Sequence, residues 1–179
     1  MVKRLFKKLI FHFFKMLLIP LDGRFPRIYM RMYNIVLAMM GVKMNGTPRY
    51  ISTHVRFDDF EKIHLSERVV ISEKVILLTH DYSVTTGLMA LGNTPKTDIA
   101  FIKEIKIGNN VFIGMGAIIL PGTVINDNVV IGAGSVVRGT IETDSIVIGN
   151  PGQVIGKLSE KSQKWESQLA QSSIQIDKK

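Results

Sequence analysis

The side chains best suited to acid–base chemistry in this sequence are its histidines, because an imidazole titrates near neutral pH and can accept a proton there. They are His12, His54, His64 and His80. The sequence contains no cysteine, which excludes thiol nucleophiles, thiolate zinc sites and disulfides. It also lacks a Gly-x-Ser-x-Gly motif. The sequence therefore implies no covalent intermediate on the chain.

Charge and composition narrow the classes of protein that remain. The chain has 179 residues, 46% hydrophobic and 21% charged, as expected for one folded domain with short appendages. The net charge is +8, and residues 1–31 contribute +7 of it, with eight basic residues against Asp22. The remainder is nearly neutral, which argues against a nucleic-acid partner, because such proteins usually spread basic residues over the folded surface. The absence of cysteine fits a reducing compartment, so we expect a cytoplasmic protein.

The basic charge lies in an N-terminal segment that is predicted to form two helices. Residues 1–19 carry lysines within an apolar run, which excludes a membrane-spanning helix and favours an amphipathic one. Pro20 and the Asp22-Gly23 pair are expected to end this helix, and a second helix is expected from near Pro26 to Gly41. The side chains expected to be buried on the second helix are Ile28, Met32, Ile35, Val36 and Met39.

Two partners remain open for residues 1–19. A basic amphipathic helix can lie on an anionic membrane, here as a peripheral contact with the inner face of the cell membrane. It can equally pack on its own domain or on a sister subunit.

Beyond residue 60 a period of six replaces the helical period. An aliphatic residue recurs at every sixth position, and a small or β-branched residue follows four positions after each of the first five. The aliphatic residues are Ile107, Ile113, Ile119, Ile125, Ile131 and Val137, and the small ones are Val111, Ala117, Thr123, Val129 and Ser135. Leu65, Ile71 and Leu77 show the same spacing earlier. This period fits neither an α-helix nor an alternating strand.

A period of six is typical of a parallel β-helix, in which one residue in six points to the axis and a corner closes each short strand. Coils of about 18 residues stack at roughly 4.8 Å, the ordinary strand spacing. The predicted fold is therefore mainly β, a parallel β-helix with N-terminal helices and a short C-terminal helix that can cover its open ends. The predicted domains are residues 1–41, 42–156 with a loop at 82–100, and 157–179.

The repeat resembles a known family. Residues 107–137, followed by Gly149-Asn-Pro-Gly-Gln-Val-Ile155, resemble the hexapeptide-repeat acyltransferases, and in particular the O-acetyltransferases of bacterial sugars and capsular polysaccharides. The resemblance covers roughly residues 50–157. It implies a left-handed parallel β-helix, acetyl-CoA as the donor, and an obligate homotrimer with active sites between neighbouring subunits.

The resemblance also implies which residues carry the chemistry. The segment from Leu77 to Ser83 resembles the family's catalytic strand, with His80 at the position of the general base. This base removes the proton of a sugar hydroxyl as the hydroxyl attacks the thioester. Asp81 is the second catalytic candidate, because it could orient His80 or contact the acceptor, although adjacent strand residues face opposite ways and direct pairing needs a bend.

The acceptor site implied by the resemblance includes a carboxylate and a loop. Asp58 or Asp59 is expected to bind sugar hydroxyls, with an exposed turn as the alternative. In the family, a loop such as residues 82–100 covers the neighbouring subunit's active site. Tyr82, together with Met89 and Leu91, is therefore expected to shape the acceptor pocket.

The donor site implied by the resemblance is a groove between two subunits. The residues expected to border coenzyme A are Gly114, Met115, Gly132, Ala133, Arg138, Asn150 and Lys157. The amide near Met115 is a candidate to stabilise the developing oxyanion, and Arg138 and Lys157 are candidates to meet the coenzyme phosphates. Family members often carry Thr-Lys where this chain has Arg138-Gly139, and Ala-Lys where it has Gly152-Gln153. One phosphate contact is therefore absent or supplied elsewhere.

The predicted function is acetyl-CoA-dependent O-acetylation of a sugar hydroxyl, on a surface-polysaccharide precursor, by direct transfer. Two alternatives stay open: an N-acetyltransferase of an amino-sugar nucleotide, and a non-catalytic β-helix that acts as a scaffold or binding module. No metal is expected. Zinc-carrying relatives use three histidines with two of them five positions apart, and the histidines in the coil region, His54, His64 and His80, lack that spacing.

Overall fold

The computed structural model describes residues 2–170. The helices are α1 (Val2–Asp22), α2 (Pro26–Met40), α3 (Ser83–Ala90) and α4 (Leu158–Ala170). The strands are β1 (Lys43–Met44), β2 (Tyr50–Ile51), β3 (Arg56–Phe57), β4 (Ile63–Leu65), β5 (Val70–Ile71), β6 (Ile76–Leu77), β7 (His80–Asp81), β8 (Phe101–Ile102), β9 (Ile105–Ile107), β10 (Phe112–Ile113), β11 (Ile118–Ile119), β12 (Val124–Ile125), β13 (Val130–Ile131), β14 (Val136–Val137), β15 (Thr140–Ile141), β16 (Ser145–Ile148) and β17 (Gln153–Lys157).

Most of these strands form three parallel sheets, which are the three faces of a β-helix. The sheet orders are β1-β4-β9-β12-β15, β2-β5-β10-β13-β16 and β3-β6-β11-β14. β17 adds to β16 in the antiparallel sense at the end of the stack. Within the coils, successive strands belong to different sheets, so each complete coil contributes one strand to each face. The predicted β-helix-type architecture is confirmed.

The six-residue period sets the register between coils. Phe112 pairs with Val130 and Ile118 with Val136, eighteen positions further on in each case. All six aliphatic residues of the repeat between Ile107 and Val137 are at most 2% exposed, as are the small residues at the intervening positions. The apolar interior is therefore a continuous column, and its burial is the main stabilising contribution of the fold.

The N-terminal helices form a hairpin on the first coil. Within α1 the chain continues helically through Pro20 and ends at Asp22, so of the two predicted breakers the Asp22-Gly23 pair ends the helix and Pro20 does not. A proline this close to the C-terminus removes one intrahelical hydrogen bond, and two further residues can still complete the turn. The second helix runs from Pro26 to Met40, and Gly41 follows with a φ of 108°, as predicted for a glycine stop.

The predicted buried face of α2 is also wrong, except at Val36. Ile28, Met32, Ile35 and Met39 are between 46% and 61% exposed. The face on the β-helix carries Tyr29, Met30, Tyr33, Val36, Leu37 and Met40 instead. Both faces are apolar, so hydropathy could not choose between them. The tyrosine face packs inward because the hydroxyl of Tyr29 donates a hydrogen bond to the carbonyl of Ile51 (2.5 Å).

Residues 82–100, predicted to be a loop, contain the helix α3. They form an arm that leaves the coil, and the base of the arm is where the chain leaves and rejoins the coil. β7 and β8 pair in the antiparallel sense at this base. The hydroxyl of Thr85 bonds both the amide and the carbonyl of Ile99 (2.7 and 3.1 Å), which closes the arm. The predicted C-terminal helix is confirmed as α4.

Candidate active site

His80 and Asp58 are brought together by the stacking of two successive coils. β3 pairs with β6, with Phe57 opposite Leu77. Asp58 directly follows β3, and His80 follows β6 by three residues, so both lie at the same corner of adjacent coils. This corner departs from the regular repeat, because a 3-10 helix at Phe60–Lys62 occupies it in the first coil and the arm leaves it in the second.

The geometry of this pair is that of a hydrogen-bonded histidine and carboxylate. His80 Nδ1 lies 2.7 Å from Asp58 Oδ2. The same carboxylate oxygen accepts hydrogen bonds from the amide and the hydroxyl of Thr79, both at 3.2 Å. The side chains of His80 and Asp58 are 12% and 26% exposed. The ring of Tyr82 lies nearly parallel to that of His80, with centroids 6.3 Å apart.

The carboxylate determines which imidazole nitrogen can act as a base. Partial burial alone would raise the pKa of Asp58, but the hydrogen bonds from His80 and Thr79 lower it below its usual value. A charged Asp58 accepts the Nδ1 proton of His80, so the lone pair of the neutral ring is at Nε2. Within residues 2–170 no side chain or backbone group bonds to Nε2, which leaves it able to take a proton from a substrate.

Asp81 does not orient His80. Its Oδ1 accepts a hydrogen bond from the Ser83 amide (2.9 Å). Hydrogen bonds from Ser83 lower the pKa of Asp81, and the positive charges of Arg138 and Lys103 contribute further. The correction has a simple geometric cause, because adjacent residues of a strand point to opposite sides. Asp58, one of the two carboxylates expected to contact the acceptor, is the carboxylate that bonds the His80 imidazole.

The two other predicted acceptor residues lie beside this pair in different ways. Asp59 precedes the 3-10 helix in extended conformation, and its carboxylate makes no hydrogen bond to any residue within 2–170. Tyr82 starts the arm, is 58% exposed, and is held near His80 by the ring contact. On the arm, Met89 and Leu91 are 61% and 79% exposed, so in a single chain they contact little of the coil.

Four predicted donor residues lie at a different corner from His80. Gly114 and Met115 follow β10, while Gly132 and Ala133 follow β13, directly above them. The amide of Gly134 bonds the Met115 carbonyl (2.8 Å). Any side chain at Gly114 would come within 2.5 Å of the Ala133 amide, so only glycine lets the coils stack there. Exposed Met115 and Ala133 therefore lie along a close-packed edge.

The other three predicted donor residues are spread over the stack. Arg138 lies at the corner of His80, next to Asp81. Asn150 follows Gly149, whose amide bonds the Ser135 hydroxyl (3.1 Å), so it lies above the Gly132–Ala133 corner. Lys157 ends β17 opposite Ser145, at the third corner. The predicted donor residues therefore do not lie together in a single chain.

The remaining histidines of the coil region lie elsewhere. His64 contacts Glu104 (3.1 Å), and His54 lies 3.8 Å from Glu73. His54 also lines a polar cavity of about 850 Å³ between the helical hairpin and the first coil, which His80 does not line. Among residues 2–170 there is no group of three or more histidines and carboxylates that could hold a metal ion.

A coil length of 18 residues does not bring Asp58 next to His80, which is why sequence reasoning misses this pair. In the first two coils the offset is 20, since Tyr50 pairs with Val70 and Arg56 with Ile76. The signal was available in the repeat of buried residues, because Phe57 and Leu77 both precede their corner by one position. Aligning those two positions puts Asp58 one coil before the segment that carries His80.

Comparison with known proteins supports both the repeat and the fold. The family model of bacterial transferase hexapeptide (six repeats) matches residues 104–139. A protein of Escherichia coli K12 named for O-acetyl transfer in lipopolysaccharide biosynthesis, WbbJ, is 29% identical over 120 residues, which are 65% of this chain and 61% of that protein. The chain spans between about half and three fifths of the length of the curated relatives it matches.

Two solved structures have the same architecture. A maltose O-acetyltransferase from Clostridium difficile 630 is 30% identical with a TM-score of 0.54, and the match covers 69% of this chain and 73% of that one. A galactoside acetyltransferase in complex with coenzyme A is 25% identical with a TM-score of 0.53, and the match covers 73% of this chain and 72% of that one. From the repeat, the stacked coils and these likenesses, we conclude that the chain belongs to the hexapeptide-repeat acetyltransferase family.

Proposed function

We propose that this protein is an acetyl-CoA-dependent O-acetyltransferase that acetylates a sugar hydroxyl, with His80 as the general base. The observation that carries the proposal is the 2.7 Å contact between His80 Nδ1 and Asp58, which leaves Nε2 open. A sugar hydroxyl is a poor nucleophile until its proton is removed, and His80 Nε2 is the proposed acceptor of that proton. The sugar acetyltransferases among its relatives support this class of acceptor.

The proposed reaction is a direct transfer. His80 Nε2 takes the proton from the acceptor hydroxyl while the hydroxyl oxygen forms a bond to the thioester carbonyl carbon. The carbon–sulfur bond then breaks, and the proton on His80 passes to the departing thiolate of coenzyme A. Asp58 stabilises the transient imidazolium and keeps its orientation. A backbone amide near Met115 is the proposed donor to the oxyanion.

We propose a homotrimer of left-handed β-helices in which one subunit supplies His80 and Asp58 and its neighbour supplies the donor edge. The separation of these groups onto two corners of one chain supports this arrangement. The exposed apolar side chains of the arm, Met89 and Leu91, support it further, because an arm that covers a neighbouring subunit would bury them.

The catalytic proposal is tested by measuring acetyl transfer from acetyl-CoA to a panel of sugars. His80→Ala is expected to lose at least about a hundredfold in rate, because positioned proton transfer contributes about 10²–10⁴. His54→Ala is the matched control and should keep its rate. Parallel assays with the hydroxyl and amino forms of one sugar separate O-acetylation from N-acetylation. Full activity of His80→Ala would contradict the mechanism, and a chain that binds no acetyl-CoA by calorimetry would favour a scaffold.

The shared site is tested by complementation. Ala133→Trp should obstruct the donor edge, and His80→Ala removes the base, so each variant alone should be inactive. Co-expressed, the two should form mixed trimers in which one interface joins an intact His80 to an intact Ala133. Recovered activity is the expected result. Activity that stays absent, with mixed trimers demonstrated by mass spectrometry, would place both residues in one subunit's site.

We also propose that the reaction takes place at an anionic membrane surface, with the basic N-terminal segment (residues 1–19) in contact with it. No helix within residues 2–170 combines the length and the apolar character needed to cross a bilayer. The charge of residues 1–31 supports a surface contact instead, and so does the relative named for lipopolysaccharide biosynthesis.

A further inference from the structure

We infer that the membrane-binding surface is formed by both helices of the N-terminal hairpin, with the outer face of α2 as a principal contact. The inference rests on the membrane part of the proposed function and deepens it. We call this surface the hairpin face: the exposed apolar side chains of α1 and α2 with the arginines between and beside them. Its expected ligand is the surface of an anionic phospholipid bilayer.

The hairpin face is apolar on both helices. On α1, the exposed residues Leu9, Phe13, Met16 and Leu17 are between 53% and 62% exposed. On α2, Ile28, Met32, Ile35 and Met39 recur at intervals of three and four, which puts them on one stripe of the helix. The two helices pack against each other, so both stripes belong to one surface feature. An exposed set of this size on a globular protein marks an interaction site.

The charge of the hairpin face indicates which kind of partner it binds. Arg24 in the connection and Arg27 and Arg31 on α2 are exposed. The hairpin has a single acidic residue, Asp22, and its carboxylate accepts a hydrogen bond from the Tyr50 hydroxyl (3.0 Å). A surface of large apolar side chains flanked by exposed arginines, with Asp22 as the one carboxylate of the hairpin, matches the headgroup region of an anionic bilayer.

The position of the hairpin brings the proposed active site close to such a bilayer. On the inner side of α1, the ring of Phe11 lies 4.8 Å from that of Phe60 and 6.4 Å from that of Phe57. Phe57 directly precedes Asp58, and His80 lies one coil further on. The hairpin therefore packs on the coil that carries Asp58, one coil before the segment that carries His80. A bilayer on the hairpin face would present a sugar carried on a lipid headgroup to the same end of the stack as the catalytic pair.

The test is co-sedimentation of the full chain with vesicles of phosphatidylcholine, either alone or mixed with phosphatidylglycerol. We expect binding to the mixed vesicles only, with release at high salt. Ile35→Gln with Met39→Gln should lower the partition coefficient at least about tenfold, and so should Arg27→Gln with Arg31→Gln. The matched control is Val154→Gln with Ile155→Gln, which removes equally exposed apolar side chains at the other end of the stack and should bind like the unmodified chain.

Three results would overturn the inference. The first is that the unmodified chain does not bind the mixed vesicles, and the second is that the variant with Ile35→Gln and Met39→Gln binds them as well as the unmodified chain does. The third is that this variant loses oligomeric mass by light scattering, which would assign the hairpin face to a second copy of the chain. The catalytic proposal is judged separately, because His80→Ala should keep vesicle binding, and acetyl transfer to a soluble sugar does not require the membrane.

Discussion

The regular coils at residues 105–137 and the corner that holds Asp58 and His80 belong to the same β-helix but differ in their strand offsets and in the side chains they bury. In the regular coils every sixth side chain is buried, and β9, β10 and β11 each pair with a strand eighteen positions ahead. At the catalytic corner the offset is 20, a 3-10 helix replaces the tight turn, and the arm leaves the coil. There a carboxylate and an imidazole face each other across two coils.

The difference shows where this fold has room for chemistry. In the regular coils the inward positions are fixed by packing, and the corners are too tight for an inward charge. At the corner of Asp58 the longer connection tolerates a partly buried carboxylate, because Thr79 and His80 supply its hydrogen bonds. Stability and chemistry should therefore respond to substitutions in different parts of the molecule.

The largest effect is expected from a substitution in the regular coils. Ile119→Ala removes a side chain that is 0% exposed and should lower the free energy of unfolding by about 2–5 kcal/mol. The adjacent Ile118 points outward and is half-buried, so Ile118→Ala should cost less than about 1 kcal/mol. Urea unfolding measures both. Equal losses would mean that the interior column does not carry the stability of the stack.

An intermediate effect is expected from Asp58→Asn. The asparagine amide can donate a hydrogen bond to His80 Nδ1, which favours the tautomer with its proton on Nε2 and removes the base. We expect kcat to fall about ten- to a hundredfold with KM little changed, which is a smaller loss than for His80→Ala. Asp127→Asn is the control, because this corner carboxylate of the regular coils bonds the Asn109 amide outside the site, and it should leave kcat unchanged. A rise in KM at constant kcat would instead support the earlier expectation that Asp58 binds the acceptor.

The smallest effect is expected in the pH dependence of stability. The pKa of Asp58 is lowered in the folded state, so its contribution to stability is full above the usual aspartate value of about 3.9 and disappears as the pH falls through the lowered pKa. The difference in unfolding free energy between the unmodified chain and Asp58→Asn should therefore shrink below about pH 4. Urea titrations across this range measure it. A difference that stays constant there would show that the carboxylate has no special stabilisation.

A second comparison concerns the helices. On the coils, the period of six identified the buried residues, because a strand with one inward residue per hexapeptide leaves little choice of face. On α2 the same kind of reasoning selected Ile28, Met32, Ile35 and Met39, and these are exposed. Because α2 is apolar on two faces, its own sequence is compatible with burying either face. The hydrogen bond from Tyr29 to Ile51 and the packing of Tyr33 against Phe11 determine the outcome, and both partners are remote in sequence.

The resemblance to a known family singled out His80 as the candidate base. The sequence by itself determined the stacked coils, the residues of their interior and the second and fourth helices. These are local properties, because a repeat of six fixes strand, corner and inward residue within a few positions. The tertiary structure decided which carboxylate meets His80, which face of α2 is exposed, and how the donor residues divide between corners. Those outcomes depend on the offset between coils and on contacts across 20 or more positions, where one or two extra residues in a turn change every partner.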